Sequence, residues 1–194
     1  QALPGADQVL LLGLLHLVVA EGGVDEEFVA AHTSGFADVV RSVALWWPGR
    51  VAAHTGVPES ELRRVARLLV AASPQHGGAG AMVLTGRGAE QHRDGTDTVT
   101  AAINLALALG LPGRPASGYG CLTGQGNGQG GREHGQKSDQ LPGYRMIDDP
   151  DARAHVAGVW GVDTAILPGK GVPAVELLGK LGAEVRGLLV HGSN

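Results

Sequence analysis

The sequence predicts an α/β fold, and three observations carry that expectation. Ala81–Thr85 is a short apolar run that passes into a polar loop, Gly86–His92, and then into a helical stretch, Thr98–Leu109. A second apolar run, Arg186–His191, ends in Gly192-Ser193-Asn194. Short strand-like runs separated by longer helical patterns are the mark of strands joined through helices. The composition, rich in Ala, Gly, Leu and Val, is ordinary for this class.

The elements follow in chain order. Val9 to Ala20 is apolar apart from Gly13 and His16 and reads as a buried helix, with Asp7 near its N-terminus and Gly22-Gly23 ending it. It is too short for a bilayer, which takes ~20 residues, and lacks the basic leading segment of a signal peptide. His16 reads as a satisfied core histidine. Two helices follow, Asp25 to His32 and Gly35 to Leu45; the acidic opening Asp25-Glu26-Glu27 suits a helix N-terminus. Trp46-Trp47-Pro48 ends the second, its aromatic pair read as packing rather than as a ligand platform. Val51 to Thr55 makes another turn, closed by Gly56. Pro58-Glu59-Ser60-Glu61 opens a helix whose apolar positions, Leu62, Val65, Ala66, Leu69 and Val70, recur at helical spacing. Arg63, Arg64 and Arg67 fall on its other face, a solvated face more than an anion site. Pro74 stops it. After Thr98–Leu109, ended by Gly110 and Pro112, the remaining helices are Pro150 to Trp160 and Pro173 to Leu181.

Between them lies Leu122 to Arg145, with six glycines between Gly124 and Gly135 interleaved with Gln125, Asn127, Gln129, Arg132, Glu133 and His134. Glycine lets backbone approach a bound object closely. Amide and guanidinium groups supply fixed donors. The combination reads as a lining for a large, polar, anionic ligand; the alternative is a flexible linker, although linkers favour Ser and Thr over Gln, Asn and Arg. Gly126, Gly128 and Gly131 satisfy GxGxxG, but no strand runs directly into them and no apolar helix follows, so the match is weak. No GxxxxGK[ST] occurs.

The 194 residues carry a formal charge of −4, which implies no basic face for nucleic acid. Cys121, the one cysteine, cannot form an internal disulfide or hold a cluster needing four thiolates. It reads as a small buried thiol rather than as a nucleophile or metal ligand. Ligands in open α/β sheets bind outside the carboxyl ends of strands. That marks Gly86–His92 as a candidate site on position alone.

The run LTGQGNGQGGREHGQKSDQLPGYR resembles the catalytic subunit of molybdopterin-dependent nitrate reductases of the assimilatory type. The likeness extends upstream through TGRGAEQHRDGTDTVTAAINLALALGLPGRPASGYG and downstream through YRMIDDPDARAHVAGVWGVD and LLVHGSN. It implies a three-layer α/β/α architecture, with parts of two Rossmann-like domains that each bind one molybdopterin guanine dinucleotide. Residues 1–123 would close one domain, and residues 124–194 would begin the return segment of the other. The resemblance also implies a fragment of a larger enzyme, with a 4Fe–4S cluster outside this chain and no cofactor held by the chain alone. By the same resemblance, Gln91, His92 and Arg132 are the candidate catalytic residues, with Arg87 and Glu90 behind them. Asp7, Gly88, Thr123, Gly124, Gln125, Asn127, Gln129, Gly192 and Asn194 are candidates for cofactor binding, Asp7 being equally readable as a helix cap. No metal ligand is expected here. Implied partners are nitrate and an electron donor (ferredoxin, flavodoxin or an NADH-linked reductase), in the cytoplasm, without nucleic acid or membrane. Related formate dehydrogenases commonly carry arginine where this chain has Thr123. A formate enzyme and a non-catalytic scaffold remain the alternatives.

Overall fold

The structure is a computed structural model that describes residues 1–190. The chain divides into two compact units, residues 1–124 and the residues from 125 onward.

The first unit is helical up to residue 76 and then α/β. Its central helix is α1 (Asp7–Ala20), apolar all round and buried at Gly13, Leu14, Leu15, Leu17 and Val18. A helix apolar on every side must be enclosed; α2 (Glu26–His32) packs on the later helix Gly95–Ala108, while α3 (Phe36–Val43), α4 (Pro48–Thr55) and α5 (Glu59–Ala72) help to enclose α1. Gly13 is needed where α1 meets α4. A Cβ there would stand 2.6 Å from Cγ2 of Val51. His16 donates from Nδ1 to the Val43 carbonyl, 3.0 Å away. Arg63 and Arg67 pair with Glu21 at 2.8 and 3.3 Å, and Arg64 with Glu61 at 2.7 Å. Those three arginines therefore form the solvated face that the spacing implies. The tryptophan pair divides: Trp46 packs on the core, while Trp47 is half exposed. Arg50 lies over both rings, 4.5 and 5.8 Å from their centroids.

Strand β1 (Met82–Gly86) follows, then a helical turn, α6 (Arg87–Glu90), then α7 (Gly95–Ala108) and strand β2 (Gly118–Leu122). The strands pair in parallel, Met82 opposite Gly118 and Gly86 opposite Leu122. Parallel neighbours need such a crossover, so the α/β class is present as a β–α–β unit. Helix α7 packs on α1 and on both strands. Leu15, Leu17, Leu62, Leu105, Leu109 and Leu111 are almost completely buried. Each contributes about 1.5–3 kcal/mol of apolar burial. Along β1, Val83 and Thr85 are buried, whereas Met82 and Leu84 are about half exposed at 50% and 51%.

A buried ion pair ties the early helices to the crossover. Asp25, 0% exposed, caps α2 by accepting from the Phe28 amide at 3.0 Å. Its other oxygen receives Arg114 at 2.7 Å. Gly110, with φ +61°, passes so close that a Cβ would run into the Asp25 carboxylate.

The second unit opens with α8 (Gly128–Glu133) and a short antiparallel pair, β3 (Gln140–Leu141) and β4 (Arg145–Met146). Helix α9 (Pro150–Trp160) is capped by Asp149 and stopped by Gly161 at φ +68°. Its buried residues Ala152 and Val156 pack with Leu141 and Ile147. Arg153 fastens the unit by donating to the carbonyls of Ile147, Thr164, Leu167 and Pro168 at 2.7 to 3.2 Å. Helix α10 (Ala174–Gly179) is the last element described.

Three expectations need correcting, and one strand is not foreseen. Residues 186–190 form no strand and are largely exposed, with Leu189 at 94%. An apolar run becomes a strand only beside a partner, and among the described residues none lies alongside it. The strand at Gly118–Leu122 is unforeseen, because Gly118 and Gly120 interrupt its apolar alternation. Cys121 is exposed rather than buried, since it lies near the free carboxyl end of β2. Asp7 does not cap α1. Ala6 holds that position without a side-chain bond, and Asp7 is the first helical residue, placed favourably against the helix dipole.

Candidate functional site

In the first unit, the carboxyl ends of β1 and β2 lie side by side, Thr85 opposite Cys121 and Gly86 opposite Leu122. The chain leaving β1 turns at once into α6, and the chain leaving β2 becomes Thr123-Gly124, both exposed. Asp7, Leu10, Leu11, Leu84, Thr85, Gly86, Gly88 and Ala89 line an open depression of about 330 Å³ at this edge. Of the residues singled out from sequence, Asp7 and Gly88 therefore share one concavity. A Cβ on Gly86 or Gly88 would meet nothing within 4 Å, so there is space over that backbone.

Gln91 and His92 follow α6 directly and are exposed. The Gln91 amide donates to the Arg87 carbonyl at 2.8 Å, and that of Gly95 to the His92 carbonyl at 3.0 Å. The His92 ring leans on the N-terminal loop: its Nε2 would lie 3.3 Å from a Cβ on Gly5. The Arg87 stem reaches the loop after β2, its Cγ lying 3.3 Å from where a Gly124 Cβ would be. Asp7, Gly88, Gln91, His92, Thr123 and Gly124 thus belong to three segments of this unit, the one after β1 reaching both the N-terminal loop and the loop after β2.

One feature of this edge escaped the sequence. Glu90 Oε1 accepts from the Thr85 hydroxyl at 3.0 Å and the Cys121 thiol at 2.9 Å, while Oε2 accepts from Arg87 at 2.9 Å. Thr85 also meets the Tyr119 hydroxyl at 2.6 Å. The Cys121 thiol, then the Thr85 hydroxyl, with Arg87 in support, holds the Glu90 carboxyl below the usual carboxylate range. In return, the bond to Glu90, with some desolvation, pushes the Cys121 thiol up. No spacing rule brings Thr85, Glu90, Tyr119 and Cys121 together; the parallel register does.

Gln125, Asn127, Gln129 and Arg132 belong to the second unit and are exposed. Asn127 adopts φ +57° and precedes α8, and the Gly131 amide donates to its carbonyl at 2.9 Å. A Cβ on Gly130 or Gly131 would meet the polar end of the Asn127 or Gln136 side chain, which would have to move. The Tyr144 hydroxyl donates to the Gln129 carbonyl at 3.2 Å. Among the described residues, no hydrogen bond or ion pair engages the Arg132 guanidinium, and neither Glu133 nor Asp139 pairs with it. Gly192 and Asn194 lie outside the described residues. Among the described residues there is also no cluster of three His, Cys, Asp or Glu side chains able to hold a metal ion, and no helix long and apolar enough to cross a membrane.

Beyond the carboxyl ends of parallel strands, where α/β proteins bind ligands, this edge offers Asp7, Thr85, Gly86 and Gly88 beside the apolar Leu10, Leu11, Leu84 and Ala89. Residues 1–165 match the Molybdopterin oxidoreductase family, and the chain belongs to that family. It is 41% identical over 192 residues to the assimilatory nitrate reductase catalytic subunit of Bacillus subtilis, covering 98% of this chain and 26% of that protein. It is 34% identical over 160 residues to formate dehydrogenase H of Escherichia coli, covering 82% of this chain and 22% of the relative. Acetylene hydratase from Pelobacter acetylenicus superposes on 56% of this chain and 14% of its own, with a TM-score of 0.48 and 22% identity. The chain spans about a quarter of the length of the curated relatives it matches. The family is named for oxidoreductases that carry a molybdopterin cofactor. The first unit fits part of such a group: space stands open over Gly86 and Gly88 in the depression, with Asp7 at its rim.

Proposed function

We propose that this chain is part of an enzyme that reduces nitrate to nitrite by oxygen-atom transfer at a bis-molybdopterin guanine dinucleotide centre. One observation carries the reading: 41% identity over 98% of the chain to the assimilatory nitrate reductase subunit, against 34% over 82% to the formate enzyme. Thr123, in place of the arginine common in formate enzymes, supports it.

Bound there, the molybdenum centre would supply the redox chemistry, in which nitrate, two protons and two electrons give nitrite and water. Electrons would arrive from a 4Fe–4S cluster outside these residues, fed by ferredoxin, flavodoxin or an NADH-linked reductase in the cytoplasm. The chain's own residues bind and orient. Gly88 and Gly124 let backbone N–H groups approach pyrophosphate oxygens. Gln125, Asn127 and Gln129 offer paired donors and acceptors to ring edges, and Asp7 takes the guanine end. Gly192 and Asn194 are assigned to the same cofactor by resemblance. Arg132 orients nitrate: its fork is planar and permanently charged, matching a planar oxyanion better than lysine would. Gln91 and His92, in the first unit, are assigned to the substrate by resemblance. The 194 residues alone turn over nothing on this reading, because the cluster ligands lie elsewhere.

Arg132 gives the test. Losing one fixed donor to a developing anion costs about 2–4 kcal/mol, or roughly 30- to 1000-fold in kcat/KM. In the whole enzyme, Arg132→Ala should show that loss per molybdenum, and Arg132→Lys should recover only part. Near-wild-type kcat/KM in both variants would remove Arg132 from the substrate site.

A further inference from the structure

We propose that Glu90 is a positioning residue for this reaction, holding the Gln91-His92 turn at the angle the ligand requires. The inference rests on the functional reading above, since only that reading gives Gln91 and His92 a substrate.

Glu90 stands at the junction of both strand ends. Oε1 takes Thr85 from β1 and Cys121 from β2, and Oε2 takes Arg87 from α6. Three donors converge on one carboxylate, and the ionised form, with acceptor lone pairs free on both oxygens, serves them best. The grip continues inward. Thr85 donates to Glu90, so the Tyr119 hydroxyl must donate to Thr85. Chained bonds of this kind strengthen one another. The carboxylate side chain is only 13% exposed although the turn around it lies at the surface.

The backbone beyond Glu90 is held as tightly. A Cβ at Gly95 would run into the Glu90 carbonyl, so α7 starts hard against this residue. Gln91 and His92 lie between those two fixed points, and His92 also touches Gly5. The conformation at residue 90 therefore sets where both side chains emerge. Arg87, which grips the carboxylate, also lies against Gly124, so the loop after β2 shares the same anchor. Glu90 touches no ligand on this account. It acts through its neighbours.

The experiment uses the whole enzyme carrying Glu90→Ala or Glu90→Gln. Displacing a substrate-facing group by about 1 Å costs up to roughly 100-fold in rate. Glu90→Ala should lower kcat/KM for nitrate at least about tenfold, with molybdenum and pterin content unchanged. Glu90→Gln, which keeps the shape and one acceptor, should recover part. A second readout needs no cofactor: peptide-resolved alkylation of Cys121 by iodoacetamide near pH 8. The hydrogen bond to Glu90 pushes that thiol up, so both variants should be alkylated several-fold faster than wild type. Unchanged kcat/KM, activity lost only in proportion to molybdenum, or unchanged alkylation would each overturn the inference. A wild-type enzyme that reduces no nitrate would sink the functional reading and this inference together. An active wild type with indifferent Glu90 variants overturns this inference alone.

Discussion

Removing Arg114 should unfold this chain far more easily than its half-exposed position suggests. Asp25 is 0% exposed, and two groups face its carboxylate: the Phe28 amide at 3.0 Å and the Arg114 guanidinium at 2.7 Å. Breaking a buried pair from one side costs about 3–5 kcal/mol, because a charge is left buried alone. Arg114 is 31% exposed, so water can reach the freed oxygen, and the lower end applies, about 3 kcal/mol. Asp25→Ala removes both partners' acceptor. It forfeits a helix cap of about 1 kcal/mol and a charged hydrogen bond of about 1.5–3 kcal/mol. The double variant leaves no stranded charge, so its loss should fall well short of the sum, with a coupling energy of about 2 kcal/mol. Urea unfolding followed by tryptophan fluorescence measures this. With a slope of about 2 kcal/mol per molar, Arg114→Ala should move the midpoint down by about 1.5 M. A shift below about 0.3 M, or simple additivity in the double variant, would refute the reasoning.

Two further outcomes follow from the packing and the second unit. Gly13→Ala places a methyl against Val51 at the α1–α4 contact and should cost about 1–3 kcal/mol by overpacking, measured by the same unfolding; Val51→Ala in that background should restore part of it. Arg153→Lys keeps the charge but cannot span four carbonyls; faster amide hydrogen exchange over residues 147–168, with the first unit unchanged, is the expected result, and unchanged exchange would contradict the clamp.

Much of the first unit is legible because its signals are local. Gly22, Gly56 and Pro74 end helices where they stand in the sequence, and the spacing of Leu62, Val65, Ala66, Leu69 and Val70 marks α5. The crossover is half legible: β1 and α7 announce themselves, but β2 does not, since Gly118 and Gly120 hide its period and its partner lies 36 residues upstream in register. The same cause hides the Glu90 grip, which exists only when Thr85 and Cys121 face each other. Residues 186–190 err in the other direction: their composition says strand, and pairing, which composition cannot supply, decides otherwise. The candidate site was legible mostly by resemblance. Physical position alone pointed to Gly86–His92, and glycine and amide content to the run around Arg132.

The central claim, nitrate chemistry at a molybdenum site, is tested most directly by turnover of the whole enzyme with a reduced viologen donor, nitrate and formate compared at equal molybdenum content. The account predicts about one molybdenum per enzyme, nitrite formed from nitrate, and no viologen reduction by formate. Formate oxidation without nitrate reduction, or a protein that carries no molybdenum, would contradict it.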